Sequence, residues 1–395
     1  MLPRYYEFQN SAKILSGKFA LENIPTELKM LNAKRPLFLS DETLEKIGTV
    51  QTVLDAMQKQ DCKAAKIYTQ IPPDSDLELI KKIVALYQEE KCDSIIAVGG
   101  GSVIDTAKGV RMVLSQEVKD IKDLMGAEIV TYGKHIPFIA IPTTAGTGSE
   151  VTAVAVILEK LKQIKMEFIS YYLLPDVAVI DPRMTKTLPK KTAASTGMDA
   201  LCHAIEAYTC LQKNPMSDAY AISAIELIGE NLIRSVEKGD EQAKIAMANA
   251  SMMAGVSFSN SMVGLVHAIG HALGGVCHVP HGNAMNILLP FCMRYNMDKI
   301  GDLYGKILLY LAGEDIYLAT KKEDRGEKTV EIIEEMKKKL NKETGLPITL
   351  KEAGVKKEDL LTVAKKAIND GAILVNPKEA RLEDVLSILN QAYEG

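Results

Sequence analysis

The order of apolar and polar residues divides the chain into two unlike halves. Up to about residue 180, short apolar runs alternate with longer stretches of helical spacing. Residues 36–40, 64–69 (AAKIYT), 94–98 (SIIAV), 136–141 (IPFIAI), 151–158 and 177–180 read as strands. Residues 44–60 and 77–91 read as helices, and a further helix opens after three glycines at 99–101. Strands separated by helices of this length predict a mainly parallel sheet covered on both faces. After Asp181-Pro182 the pattern turns helical, with clear examples at 217–236, 241–259 and 329–340. In the last of these Ile333, Met336 and Leu340 share one face. Glu334/Lys338 and Glu335/Lys339 sit one turn apart on the other, as on a solvated helix surface. The pattern predicts an α/β domain over residues 1–185 and an all-helical domain over 186–395. A cleft between two such domains is a favoured place for a cofactor and substrate.

Composition narrows the function classes. The 395 residues carry 47 basic and 51 acidic side chains, a net charge of -4, with no concentrated basic block. That argues against a nucleic-acid or membrane-surface protein. No stretch reaches the roughly 18 apolar residues of a membrane span. The start, MLPRYYEFQN, lacks the basic-then-apolar pattern of a secretion signal, so a cytoplasmic location is expected. The six cysteines form no C-x-x-C pair, which predicts reduced thiols and no thiolate zinc site.

Two polar loops follow predicted strands. Gly99, Gly100 and Gly101 let backbone N–H groups approach an anion, and the next helix aims its positive end at the same place. Ser102 and Asp105 have capping-box spacing, which would set the start of that helix. The geometry suits a pyrophosphate. The common G-x-G-x-x-G fingerprint has its acidic residue about 20 positions later. Here the candidate acid, Asp41, precedes the glycines at the end of the first predicted strand. It is equally readable as the N-cap of the following helix. If it faces an adenosine ribose, its charge repels a 2′-phosphate and favours NAD over NADP. The second loop, 142–150 (PTTAGTGSE), lies on the same predicted sheet edge.

Five of the six histidines lie between His203 and His281. Asp199 and His203 are four residues apart on one predicted helix, and His267 and His271 repeat that spacing on another. His281 sits in a Pro-His-Gly turn. Two helical pairs and a loop histidine can converge on one cation, with imidazole and carboxylate ligands that suit Fe²⁺ or Zn²⁺. Spacing does not choose between His267 and His271.

These motifs together resemble those of the iron-containing (group III) alcohol dehydrogenases. The resemblance spans 99–108, 142–152, Asp181-Pro182, 197–206 and 264–290, nearly the whole chain. It implies a dehydroquinate synthase-like fold, with a dinucleotide-binding α/β domain followed by a helical metal domain. It implies Asp199, His203, His267 and His281 as metal ligands, for Fe²⁺ or alternatively Zn²⁺. His271 would stand beside the metal and transfer protons. Asp41, Gly99, Gly100, Gly101, Ser102, Asp105, Thr143, Thr144 and Thr147 would bind NAD, with Val156 and Lys165 also touching the cofactor. Phe258 would wall the substrate pocket. The activity implied is hydride transfer between NAD(H) and a small alcohol, aldehyde or ketone, in a homo-oligomer. Alternatives are a zinc-type polyol dehydrogenase, an NAD-using lyase like dehydroquinate synthase, or a non-catalytic binder. Cys202, beside a ligand, reads as a small buried residue.

Overall fold

Ser94–Gly99 organises the N-terminal half, because every residue of this strand is buried. The computed structural model describes residues 3–74, 76–118, 120–160 and 164–395. Its strands are β1 (Lys13–Ser16), β2 (Pro36–Leu39), β3 (Lys66–Tyr68), β4 (Ser94–Gly99), β5 (Gly126–Ala127), β6 (Phe138–Pro142), β7 (Val154–Glu159), β8 (Ile164–Ile169) and β9 (Val177–Ile180). Six of them form one parallel sheet in the order β1-β9-β6-β4-β2-β3. Apolar residues fill both faces, as an all-parallel sheet requires. Leu37, Leu39, Ile95 and Ala97 join one core, while Phe38, Ile96, Val98, Ile139 and Ile141 join the other.

The strand order fixes where a ligand can sit. From β2 the chain moves outward to β3, then returns past β2 to build β4, β6 and β9 on the other side. The reversal falls between β2 and β4. In open α/β sheets the crevice beyond the carboxyl ends of such a strand pair is the usual ligand site. Asp41 and the three glycines follow those two strands.

The chain separates into two compact units, Gln9–Leu188 and Pro189–Gly395, the latter joined by the chain's first residues up to Phe8. Phe8 stacks on Tyr220, with ring centroids 5.8 Å apart. The second unit is built from helices, among them Lys190–Thr209, Pro215–Glu237, Glu241–Ser259, Leu265–Cys277 and His281–Ala312.

Several expectations are corrected. The strand read at 151–158 is β7, and it stands outside the parallel sheet. It pairs antiparallel with β8 in a separate three-stranded sheet with β5. The helix read at 44–60 is two, Glu42–Lys46 and Thr49–Gln58, broken where Gly48 takes φ 82°. The capping box at Ser102 and Asp105 does not form. The helix Gly101–Gln116 starts from Gly100 with no side-chain cap, because Asp105 is drawn inward to other partners.

Candidate active site

In the α/β unit, three neighbouring strands deliver three polar segments to one sheet edge. Asp41 follows β2, the glycines follow β4, and Thr143 follows β6. Asp41 is the N-cap of Glu42–Lys46, accepting from Leu44 N at 2.9 Å. The capping reading is therefore realised. The glycine loop and the threonine loop touch. Thr143 N donates to Gly99 O at 3.1 Å. A Cβ added at Gly101 would lie 3.1 Å from Thr147 Cγ2, and one at Gly100 would lie 3.4 Å from Thr144 Cγ2. The Gly101–Gln116 helix directs the unsatisfied N–H groups of its first turn to this edge, as an anion site needs.

The remaining sequence candidates are bonded to the loops or to residues beside them. Asp105 is partly buried, accepting from Ser149 Oγ at 2.6 Å and from Val156 N at 3.0 Å, which ties the glycine helix to β7. Lys165 pairs with Asp74 at 2.8 Å, and Asp74 N donates to Ser102 Oγ at 3.3 Å. Lys108 is buried and donates to Thr152 O, Thr152 Oγ1 and Val154 O at 2.6–3.0 Å. Burial pushes its pKa down to about 8.

In the helical unit, close packing gathers the histidines. Asp199 and His203 lie on the buried face of Lys190–Thr209. His267 and His271 lie on Leu265–Cys277, and His281 begins His281–Ala312. Two glycines let these helices approach. A Cβ at Gly270 would meet Met285 Cε at 2.0 Å, and one at Gly282 would meet Ser195 Oγ at 2.5 Å.

Asp199, His203, His267 and His281 each offer one ligand atom, all within 4.8 Å of one another. Asp199 Oδ1 is 3.8 Å from His203 Nδ1, 3.9 Å from His267 Nε2 and 3.3 Å from His281 Nε2. Ligands about 2.1 Å from one ion lie about 3–4 Å from each other, so a divalent cation fits. Among the described residues, Asp199 Oδ1, His203 Nδ1 and His267 Nε2 are buried with no hydrogen-bond partner. Buried polar atoms are rarely left so, and an ion satisfies all three at once.

The protonation states agree. Burial pushes His203 down to about 3 and His267 well below the usual range, so both rings are neutral. Burial works against the charge of Asp199, but the facing imidazoles of His203, His281 and His267 outweigh it and hold the carboxyl below its ordinary range. His281 is 38% exposed and the other three are buried, which marks the open side of the centre. Phe258 stacks on His203 at 4.3 Å between centroids.

Two functional residues escaped the sequence reading. Glu206 Oε2 lies 2.5 Å from His267 Nδ1, and its Oε1 accepts from Val266 N at 2.7 Å. Burial pushes its carboxyl up to about 7. It falls seven residues after Asp199 on the same helix face, a spacing that pointed to it. Asp370 bonds His271 Nδ1 at 2.9 Å from 99 residues away, and no local pattern announced it. Cys202 is buried and its thiol is pushed well up by burial, so it stays an inert packing residue. His278 takes φ 55° as the left-handed C-cap of Leu265–Cys277, and half-exposed His135 pairs with Asp176.

A dinucleotide-type sheet edge in one unit and a buried carboxylate–imidazole cluster in the other define a metal-dependent oxidoreductase class. The chain belongs to the iron-containing alcohol dehydrogenase family. The model for iron-containing alcohol dehydrogenases matches residues 11–182, and that for the Fe-containing alcohol dehydrogenase family, C-terminal, matches 193–393. The chain is 35% identical over 378 residues to an NAD-dependent methanol dehydrogenase of Bacillus methanolicus, covering 95% of this chain and 97% of the relative. It is 34% identical over 388 residues to an NADPH-dependent butanol dehydrogenase of Clostridium saccharobutylicum, covering 97% and 96%. A crystal structure of 1,3-propanediol oxidoreductase superposes with a TM-score of 0.93 at 32% identity, over 99% of this chain and 100% of that one. The protein is an enzyme of the alcohol dehydrogenase type, and the lyase and polyol alternatives are not favoured. No helix among the described residues is long and apolar enough to cross a membrane.

Proposed function

We propose that this enzyme interconverts small alcohols with aldehydes or ketones, using NAD(H) and one Fe²⁺ held by Asp199, His203, His267 and His281. The three buried ligand atoms without partners are the observation that carries the reading. When bound, the ion supplies Lewis-acid polarisation of a carbonyl oxygen, and the nicotinamide supplies hydride. The chain's own residues do the rest. Glu206 orients His267 by accepting from its Nδ1–H, which turns Nε2 to the cluster. Phe258 walls the pocket beside His203. His271 takes or gives the alcohol proton.

The relatives named above use both coenzymes, so the choice of NAD here rests on Asp41 at the reversal of strand order. Gly100, Gly101, Thr143, Thr144 and Thr147 would hold the coenzyme's phosphates. Asp105 and Ser102 act there by fixing the loops, Asp105 through Val156 and Ser102 through Asp74, which Lys165 pairs. Gly100→Ala should weaken NADH binding by about 10-fold and leave the melting temperature unchanged, since the new methyl makes only ordinary contact with Thr144. Gly99→Ala should instead destabilise the fold by about 1–3 kcal/mol, because its methyl meets Val103 Cγ2 at 2.5 Å. Fluorescence titration and thermal melting read the two; unaltered NADH affinity in Gly100→Ala would remove the glycine loop from the coenzyme site.

The resemblance also supports a homo-oligomer working in the cytoplasm. The reaction itself is tested by anaerobic oxidation of NADH and NADPH with a panel of small aldehydes and ketones, with Fe²⁺ or Zn²⁺ supplied. Metal-dependent turnover that prefers NADH is expected. A protein that holds metal and NADH yet turns over nothing on the panel would sink the proposal.

A further inference from the structure

We infer that Asp370 is the positioning residue for His271, fixing the tautomer and ring orientation that proton transfer at His271 requires. The inference rests on the proposed role of His271 in that transfer.

Asp370 is anchored before it meets the histidine. Its Oδ1 accepts from Ala372 N at 2.9 Å, making Asp370 the N-cap of the short turn Gly371–Val375. Ala372 packs with Val263, Ala268 and Phe258, which seats the turn against the histidine helix and the pocket wall. The other oxygen, Oδ2, is 2.9 Å from His271 Nδ1. The Asp370 side chain is 17% exposed and that of His271 35%, so the pair is shielded without being sealed. An ionised carboxylate only accepts hydrogen bonds, so the His271 proton sits on Nδ1 and the basic lone pair on Nε2.

The same device occurs one turn earlier. His267 and His271 are four residues apart on one helix, and each has its own carboxylate at Nδ1, Glu206 and Asp370. The His267 ring delivers Nε2 to the ligand cluster. His271 lies outside that ligand set, with its ring 5.9 Å from that of His267 and 5.6 Å from that of His281. One helix thus presents two imidazoles in the same tautomer, one to hold the ion and one to handle a proton.

Asparagine at 370 separates positioning from folding. Its Oδ1 still caps Ala372, while its NH₂ faces His271 Nδ1. Nδ1 must then accept, the proton moves to Nε2, and the base is lost at unchanged shape. The holoenzymes of Asp370→Asn, His271→Ala and the double variant are to be compared for metal per chain, melting temperature, kcat and KM. Asp370→Asn should keep its metal, melting temperature and KM, and lose about 100-fold in kcat. In the His271→Ala background the same change should alter kcat by less than about 2-fold, because Asp370 acts only through His271. Nitrogen-15 spectra of the Zn²⁺-loaded protein should show His271 protonated at Nδ1 in the parent and at Nε2 in Asp370→Asn.

Full kcat in Asp370→Asn, alongside a slow His271→Ala, overturns the inference and leaves the role of His271 standing. So does an Asp370→Asn effect that persists in the double variant, lost metal, or a parent protonated at Nε2. Full kcat in His271→Ala overturns the role of His271 itself and takes this inference with it.

Discussion

His267→Ala should abolish metal binding and activity together. The residue supplies a ligand atom that is buried and has no hydrogen-bond partner among the described residues. Removing a residue that merely orients a ligand costs about 10–100-fold in metal affinity, so removing the ligand should cost more. The loss has a second component. Glu206 keeps its bond to Val266 N but loses the imidazole that its other oxygen faced. With burial already raising that carboxyl to about 7, it should take up a proton rather than remain charged. Elemental analysis should find the variant nearly free of metal, with activity down by at least about 1,000-fold. Stoichiometric metal in His267→Ala would mean that the four-residue ligand set is wrong.

The paired expectation concerns the next histidine along the helix. His271→Ala should retain its metal and slow turnover by about 100- to 10,000-fold, the usual value of a positioned proton donor or acceptor. His271 stands outside the cluster of four and bonds Asp370 instead. Its loss should therefore leave metal content unchanged while kcat falls. Metal content and kcat measured on the same preparation decide the matter. Metal lost as fully as in His267→Ala would place His271 among the ligands.

The contrast between these neighbours shows what the sequence made legible. Asp199/His203 and His267/His271 share the helical spacing of four, so local pattern offered three members of the cluster, and the Pro-His-Gly turn offered His281. The spacing left open which of His267 and His271 faces the ion. That choice depends on how Leu265–Cys277 is rotated against Lys190–Thr209 and His281–Ala312, which long-range packing sets. Glu206 was within reach of a face-by-face reading of its own helix. Asp370 was not, since its partner is 99 residues away.

The α/β unit follows the same rule. β4 was plain because burial on both faces makes a continuous apolar run. β1, four residues long and partly exposed, carries no such signal and owes its place to pairing with β9. The capping box failed because Asp105 found Ser149 and Val156, 44 and 51 residues further on. Gly48 carried a signal for the break in residues 44–60, as a glycine inside a helical pattern can, but the reading of one helix passed over it. The dinucleotide edge was legible as separate loops, but their meeting depends on strand order, which no single segment encodes.

Gly270 and Gly282 never touch a reacting atom, yet the placing of the donors depends on them. A metal–ligand bond tolerates roughly 0.2 Å of misplacement. Any side chain at 270 would push Met285 aside or displace the rail that carries His267, and one at 282 would press on Ser195, a turn before Asp199. A substitution would therefore be felt at the cluster, most of all at 282, where the clash is with the Ser195 backbone and not with a flexible side-chain tip. Two residues without a functional group thus help set how closely the donors can gather.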